Sequence, residues 1–205
     1  MFGAVGELLL PRRCAGCGAA GEMLCASCRA ALATPPERVF PRTPPHVPVY
    51  ALGPYNGAHR GVVLAMKERA HLAVRGHVGA VIGAGLDYLE ARGDIPPGAV
   101  LVPAPTRPSA ARGRGGDPVE QVCRRAGREV AAVLRLAEGV ADQAALDEAG
   151  RRANLTGNVR LRGRVSGPLV VVDDVVTTGA TLQASVAVLL AAGMDVAACV
   201  TLCAA

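Results

Sequence analysis

The chain has 205 residues, 51% hydrophobic and 19% charged, which is enough for one full domain with a small appendage and too apolar for a disordered or fibrous protein. Trp is absent, with Phe 2 and Tyr 3, so the core is aliphatic and a surface that grips nucleic acid by stacking bases is short of rings. The net charge of +5 suits an anionic partner, a phosphate ester or a nucleic acid, without choosing between them.

Residues 1–10 carry Glu7 and no basic start, and no apolar run approaches the ~18 residues that span a bilayer, so a cytoplasmic protein without membrane insertion is expected. Thiols are reduced in that setting. Four of the seven cysteines, Cys14, Cys17, Cys25 and Cys28, form two CxxC pairs. Two thiolates two residues apart reach one ion from a tight turn, and four sulfurs close a tetrahedral shell. The spacing therefore favours a structural zinc knuckle over residues 1–33, ahead of the disulfide, redox and iron–sulfur readings of the same pattern. A closed four-sulfur shell leaves no place for substrate, so its role is scaffolding or partner docking. Cys123, Cys199 and Cys203 read as small buried hydrophobes, and His46, His59, His71 and His77 share no metal-binding spacing.

Residues 34–48 contain six prolines, which deny helix and predict a linker or an extended wrap. A short strand is expected over 47–52, then turn residues and a helix ending at Lys67, and a second helix over 72–91. The apolar run Val100, Leu101, Val102 stops at Pro103 and Pro105 as a buried strand leading into a loop. That loop, 104–116, holds Arg107, Arg112 and Arg114 among glycines and has the makings of an anion-binding segment. Asp117 as N-cap, Pro118 at the first helical position and Glu120 at the third open a helix whose apolar face continues to Val130 and Val133. A further helix is expected over 147–154, a strand over 169–172, a helix over 181–192 and a last strand over 196–202. Strands alternating with helices predict an α/β fold with a mostly parallel sheet.

The most informative segment is 169–182, in which the apolar run from Leu169 to Val172 meets two carboxylates, Asp173 and Asp174. At the carboxyl end of an interior strand they face the crevice where open α/β sheets bind ligands, and adjacent like charges there call for hydroxyl groups or a metal. Val175, then Thr177, Thr178, Gly179, Ala180 and Thr181 follow, the last of these being small residues that open a helix, where backbone N–H groups hold phosphate. Sugar hydroxyls beside a phosphate describe phosphoribose. Walker-type nucleotide binding is disfavoured, because its glycine spacing and Lys-Ser/Thr ending are absent.

The segment 173–181 resembles the phosphoribosyl pyrophosphate (PRPP) signature of type I phosphoribosyltransferases. Together with the paired cysteines, the chain is most similar to the ComF family of competence-associated phosphoribosyltransferase-like proteins. The similarity includes Tyr55-Asn56-Gly57, Lys67, Val102-Pro103-Ala104-Pro105, Arg112-Gly113, and Gln143 with Arg152 and Asn154. After Arg112-Gly113 the family's aromatic and amide residues are replaced by Arg114, Gly115, Gly116, Asp117 and Pro118. The resemblance implies a type I phosphoribosyltransferase-like domain over 49–205, with Asp173 and Asp174 on the ribose hydroxyls and residues 177–181 on the 5′-phosphate. It implies Ala104, Pro105, Thr106 and Arg107 at the pyrophosphate, Lys67 among the PRPP-binding residues, Arg112 in the catalytic loop, and magnesium brought in by PRPP. The function so implied is a glycosyltransferase that moves phosphoribose to an acceptor, within DNA uptake. The alternative is a non-catalytic competence factor that binds single-stranded DNA and a helicase, for which the arginines over 107–135 and 151–164 supply a basic surface.

Overall fold

The computed structural model describes residues 13–67, 72–106, 111, 115–137 and 158–205. A mixed five-stranded sheet is flanked by helices on both faces, and a small two-stranded ribbon stands beside it. The elements in chain order are α1 (Ala26–Leu32), β1 (Glu37–Val39), β2 (Val49–Ala51), α2 (Gly57–Lys67), α3 (Val74–Ala91), β3 (Val100–Pro103), α4 (Pro118–Cys123), β4 (Leu134–Leu136), β5 (Val159–Leu161), β6 (Leu169–Val176), α5 (Ala180–Ala191) and β7 (Val196–Ala204). The sheet order is β1-β2-β7-β6-β3, with β1 antiparallel to β2 and every other neighbour parallel.

Parallel strands need helical crossovers, which cover both faces of the sheet, and that is why β6 and β7 read as near-continuous apolar runs. Side-chain alternation divides the strands between two cores. Leu101, Val170 and Val172 pack with α2, α3 and α4, whereas Val100, Val102, Leu169 and Val171 pack with α5. Among the described residues no helix is long and apolar enough to cross a membrane.

Three expectations are corrected. The Pro-rich stretch is more than a linker, since its residues Glu37 to Val39 form the edge strand β1, and Thr43 N–H donates to the Thr178 carbonyl at 2.7 Å. The helix opened by Asp117 ends at Cys123, so Val130 and Val133 are not on its face. Gly127, at φ +72°, turns the chain, and Val130 then bridges Leu101 along the outer edge of β3. An apolar spacing that suits a helix face also suits a chain laid along a strand, and the competing backbone bonds of Leu101 decide for the second. Finally, β6 runs on to Val176, because β7 continues to pair with it. The helix expected over 147–154 lies outside the described residues.

The cysteine-bearing segment shares its core with the sheet domain. Cys14, Leu24, Cys28 and Leu32 are buried in one cluster with Val62, Val63 and Met66 of α2. Gly61 of α2 makes this fit possible, since a Cβ there would stand 2.8 Å from the Ala15 carbonyl oxygen.

Candidate functional site

Four parallel strands end in the same direction, and the acid pair sits near the end of β6, an interior strand between β7 and β3. β7 pairs with β6 at Asp173↔Thr201, Val175↔Cys203 and Val176↔Ala204, so strand pairing rather than a loop holds the carboxylates. The loop shrinks to Thr177, Thr178 and Gly179. Gly179 is the N-cap of α5 at φ +89° and has no side chain with which to cap it. A Cβ at Gly179 would collide with the Thr43 carbonyl oxygen and stand 2.8 Å from Pro41 Cβ, so glycine is required both by conformation and by the chain lying over it. Thr178 Oγ1 accepts from Ala180 N–H at 3.3 Å, while Thr177 is exposed and Thr181 half-buried.

The adjacent strand brings the second candidate segment alongside. Pro103 is in register with Val172, and Ala104 N–H donates to the Val172 carbonyl at 2.8 Å. Ala104, Pro105 and Thr106 therefore leave the sheet next to Asp173, with Ala104 buried and the other two half-buried. Arg107 and Arg112 lie outside the described residues, as do Gln143, Arg152 and Asn154.

Lys67, the sole lysine, is the last residue of α2, and its Nζ lies 2.7 Å from Asp174 Oδ2. Asp174 N–H donates to Asp173 Oδ1 at 2.8 Å. Burial, then the neighbouring Asp174 charge, pushes Asp173 up to about 8, against the opposing pull of that N–H and of Lys67. The pair therefore favours holding a proton at Asp173, beside the contact between Asp174 and the Lys67 ammonium. Such a pair both donates to and accepts from vicinal hydroxyl groups.

The four N-terminal cysteines converge as well. Their Sγ atoms all lie within 4.8 Å of one another, a group that can hold a metal ion. A tetrahedral shell with metal–sulfur bonds of about 2.3 Å has edges of about 3.8 Å, and Cys17 Sγ and Cys25 Sγ are 3.8 Å apart. Cys25 N–H points at Cys14 Sγ over 3.3 Å. The Ser27 hydroxyl, then the Cys28 backbone, holds the Cys25 thiol down to about 6, whereas burial, then Cys25, pushes the Cys28 thiol up. All seven cysteines are free thiols. Cys123, Cys199 and Cys203 are fully buried, as expected of packing residues.

Sequence reasoning named Lys67 without its partner and missed the cover that Pro41 and Thr43 lay over the loop at Gly179. Neither signal is local: each depends on segments remote in the chain meeting at one strand end. Two apolar cavities of about 330 and 340 Å³ open under residues 34–36 beside Leu52, away from the acid pair. No protein-family model matches the chain, and no curated protein matches it.

Proposed function

We propose that this chain is a PRPP-binding protein with a type I phosphoribosyltransferase-like domain, of the ComF kind, acting in the cytoplasm. The observation that carries the proposal is the acid pair near the end of β6, followed five residues after Asp174 by the glycine N-cap at the start of α5. In this reading Asp173 and Asp174 take the ribose 2′ and 3′ hydroxyls, while the backbone of residues 177–181 takes the 5′-phosphate. Residues 104–106, which leave the sheet beside Asp173, take the diphosphate in this reading, and Arg107 and Arg112 join them on the sequence pattern alone. Magnesium brought in with PRPP would supply charge neutralisation for the leaving diphosphate. Transfer then breaks the bond between C1′ and the diphosphate oxygen as an acceptor nucleophile bonds to C1′, and the nearby carboxylate stabilises the cationic transition state. The four-cysteine group holds zinc, for which thiolate ligands and a closed shell are the usual structural arrangement.

The test is calorimetric titration of the metal-loaded full chain with PRPP and magnesium. Saturable binding is expected, weakened more than about 100-fold in Asp173→Asn/Asp174→Asn by loss of charge-assisted hydrogen bonds. No binding heat with the wild type would overturn the proposal.

A second reading has an observation of its own. In the ribbon, β4 pairs antiparallel with β5 so that Arg135 stands directly opposite Arg160, both exposed, with Arg162 two residues further along β5's direction. A polyanion laid across the ribbon meets these guanidinium groups with its phosphates. Single-stranded DNA, handed on by a competence helicase, fits such a surface through its phosphates. Affinity for a single-stranded oligonucleotide should then fall steeply between 50 and 200 mM salt, with a slope reduced by about 1.4 in Arg135→Ala/Arg160→Ala. Binding that ignores salt would count against it.

A further inference from the structure

Arg75 is completely buried, a costly place for a guanidinium unless its bonds do something specific. It lies in the first turn of α3, and its Nε and Nη2 both donate to the Met66 carbonyl oxygen, at 3.0 and 2.7 Å. Met66 immediately precedes Lys67, and its carbonyl belongs to the last turn of α2, where helix carbonyls lack intrahelical partners. A guanidinium there satisfies the helix end and complements its negative pole. A further bond runs to α4, where Arg75 Nη1 donates to Gln121 Oε1 at 3.0 Å. Gln121 is itself held by its Nε2, which donates to the Gly115 carbonyl at 3.0 Å. α2, α3 and α4 are thus tied at one point, one residue away from the only lysine, whose ammonium reaches Asp174 at 2.7 Å.

We propose that Arg75, braced by Gln121, is a positioning residue that sets the end of α2 and thereby holds Lys67 on Asp174. A free helix end frays over its last residues, and Lys67 is the last residue of α2. A planar fork locked on the preceding carbonyl fixes where the lysine stem leaves the helix, which a single-point ammonium in the same place does less well. The bonds of Arg75 to Met66 and Gln121 reach the acid pair through Lys67. The consequence for PRPP binding rests on the function proposed above; the consequence for Lys67 does not.

Because Lys67 is the only lysine, selective ¹³C labelling of lysine gives a single Cε resonance in the full chain. Its position in Asp174→Asn marks the unpaired ammonium. In Arg75→Met and in Gln121→Met the resonance is expected to move toward that position, and in Arg75→Lys to return part of the way toward the wild type. Mg-PRPP affinity should fall about tenfold in Arg75→Met, the scale of one charge-assisted hydrogen bond. Gln121→Met leaves the guanidinium in place and guards against a variant that merely fails to fold. A Lys67 resonance that stays at its wild-type position in folded Arg75→Met and Gln121→Met, whatever the change in thermal midpoint, would overturn the inference. A wild-type chain that binds no PRPP defeats the proposed function, while the resonance still tests Arg75.

Discussion

Stripping the metal from the four-cysteine group, or replacing Cys28 by Ser, is expected to lower the thermal midpoint of the whole chain by about 10 °C rather than release a dispensable appendage. Cys28 is 5% exposed and Cys14 3%, and their segment brings Leu24 and Leu32 into the same cluster as Val62 and Met66. Burying one leucine contributes about 1.5–3 kcal/mol, and a loss of 1 kcal/mol moves the midpoint of a chain of this size by about 2–4 °C. Uncovering two leucines therefore accounts for the expected fall. A bound metal would matter because α1 is the one helix or strand among the described residues of the segment, so without an ion its backbone entropy is opposed mainly by the buried leucines. The damage should spread to the acid pair, because α2 takes the cysteine segment at Gly61 and presents Lys67 at its end. Differential scanning calorimetry with and without a tight chelator, at constant reductant, measures this. An unchanged midpoint after demonstrated metal removal would refute a structural role for the ion.

Replacing Asp173 by Asn should stabilise the protein at alkaline pH and leave it unchanged at acid pH. Asp173 titrates at about 8 in the folded chain against an ordinary value of 3.8. Below pH ~4 both folded and unfolded chains carry the proton, and the group adds no pH dependence. Between about 4 and 8 the folded chain keeps a proton that the unfolded chain has released, so stability declines as pH rises, and above 8 the full cost of ionising a buried acid is present. The groups that set this balance are Asp174 and Asp117, which raise the value, and Lys67 with the Asp174 N–H, which lower it. Asn keeps the acceptor for that N–H and removes the charge. At about 1.4 kcal/mol per unit, and allowing for partial exposure, a gain of about 2–4 kcal/mol is expected at pH 8.5, or about 5–10 °C in midpoint. The gain should vanish by pH 4. A variant no more stable than wild type at pH 8.5 would mean that Asp173 is ionised and satisfied. Together with the loss of PRPP binding expected of the double variant, this gain would mark Asp173 as a residue kept for function at the expense of stability.

What could be read directly were features whose physics is contained in a few consecutive residues. The Asp117-Pro118 start of α4, with Asp117 Oδ1 accepting from Val119 and Glu120 N–H at 2.9 and 3.2 Å, follows from capping chemistry alone. The apolar run ending in Asp173-Asp174 declared an interior strand, and the CxxC spacing declared a cluster of thiols, because turns and alternation act over neighbouring positions. The limits of the elements were decided elsewhere. β6 outlasts its apolar run because β7 lies beside it, α4 stops early because residues 129–131 pair with Leu101, and β1 forms because β2 offers an open edge. The same division runs through the candidate site. The carboxylates, threonines and Gly179 were legible in order, whereas the proton on Asp173, its cation Lys67 and the buried Arg75 behind that cation arise only when distant segments close out water around one another, since desolvation and ion pairing depend on what is near in space, not on what is next in the chain.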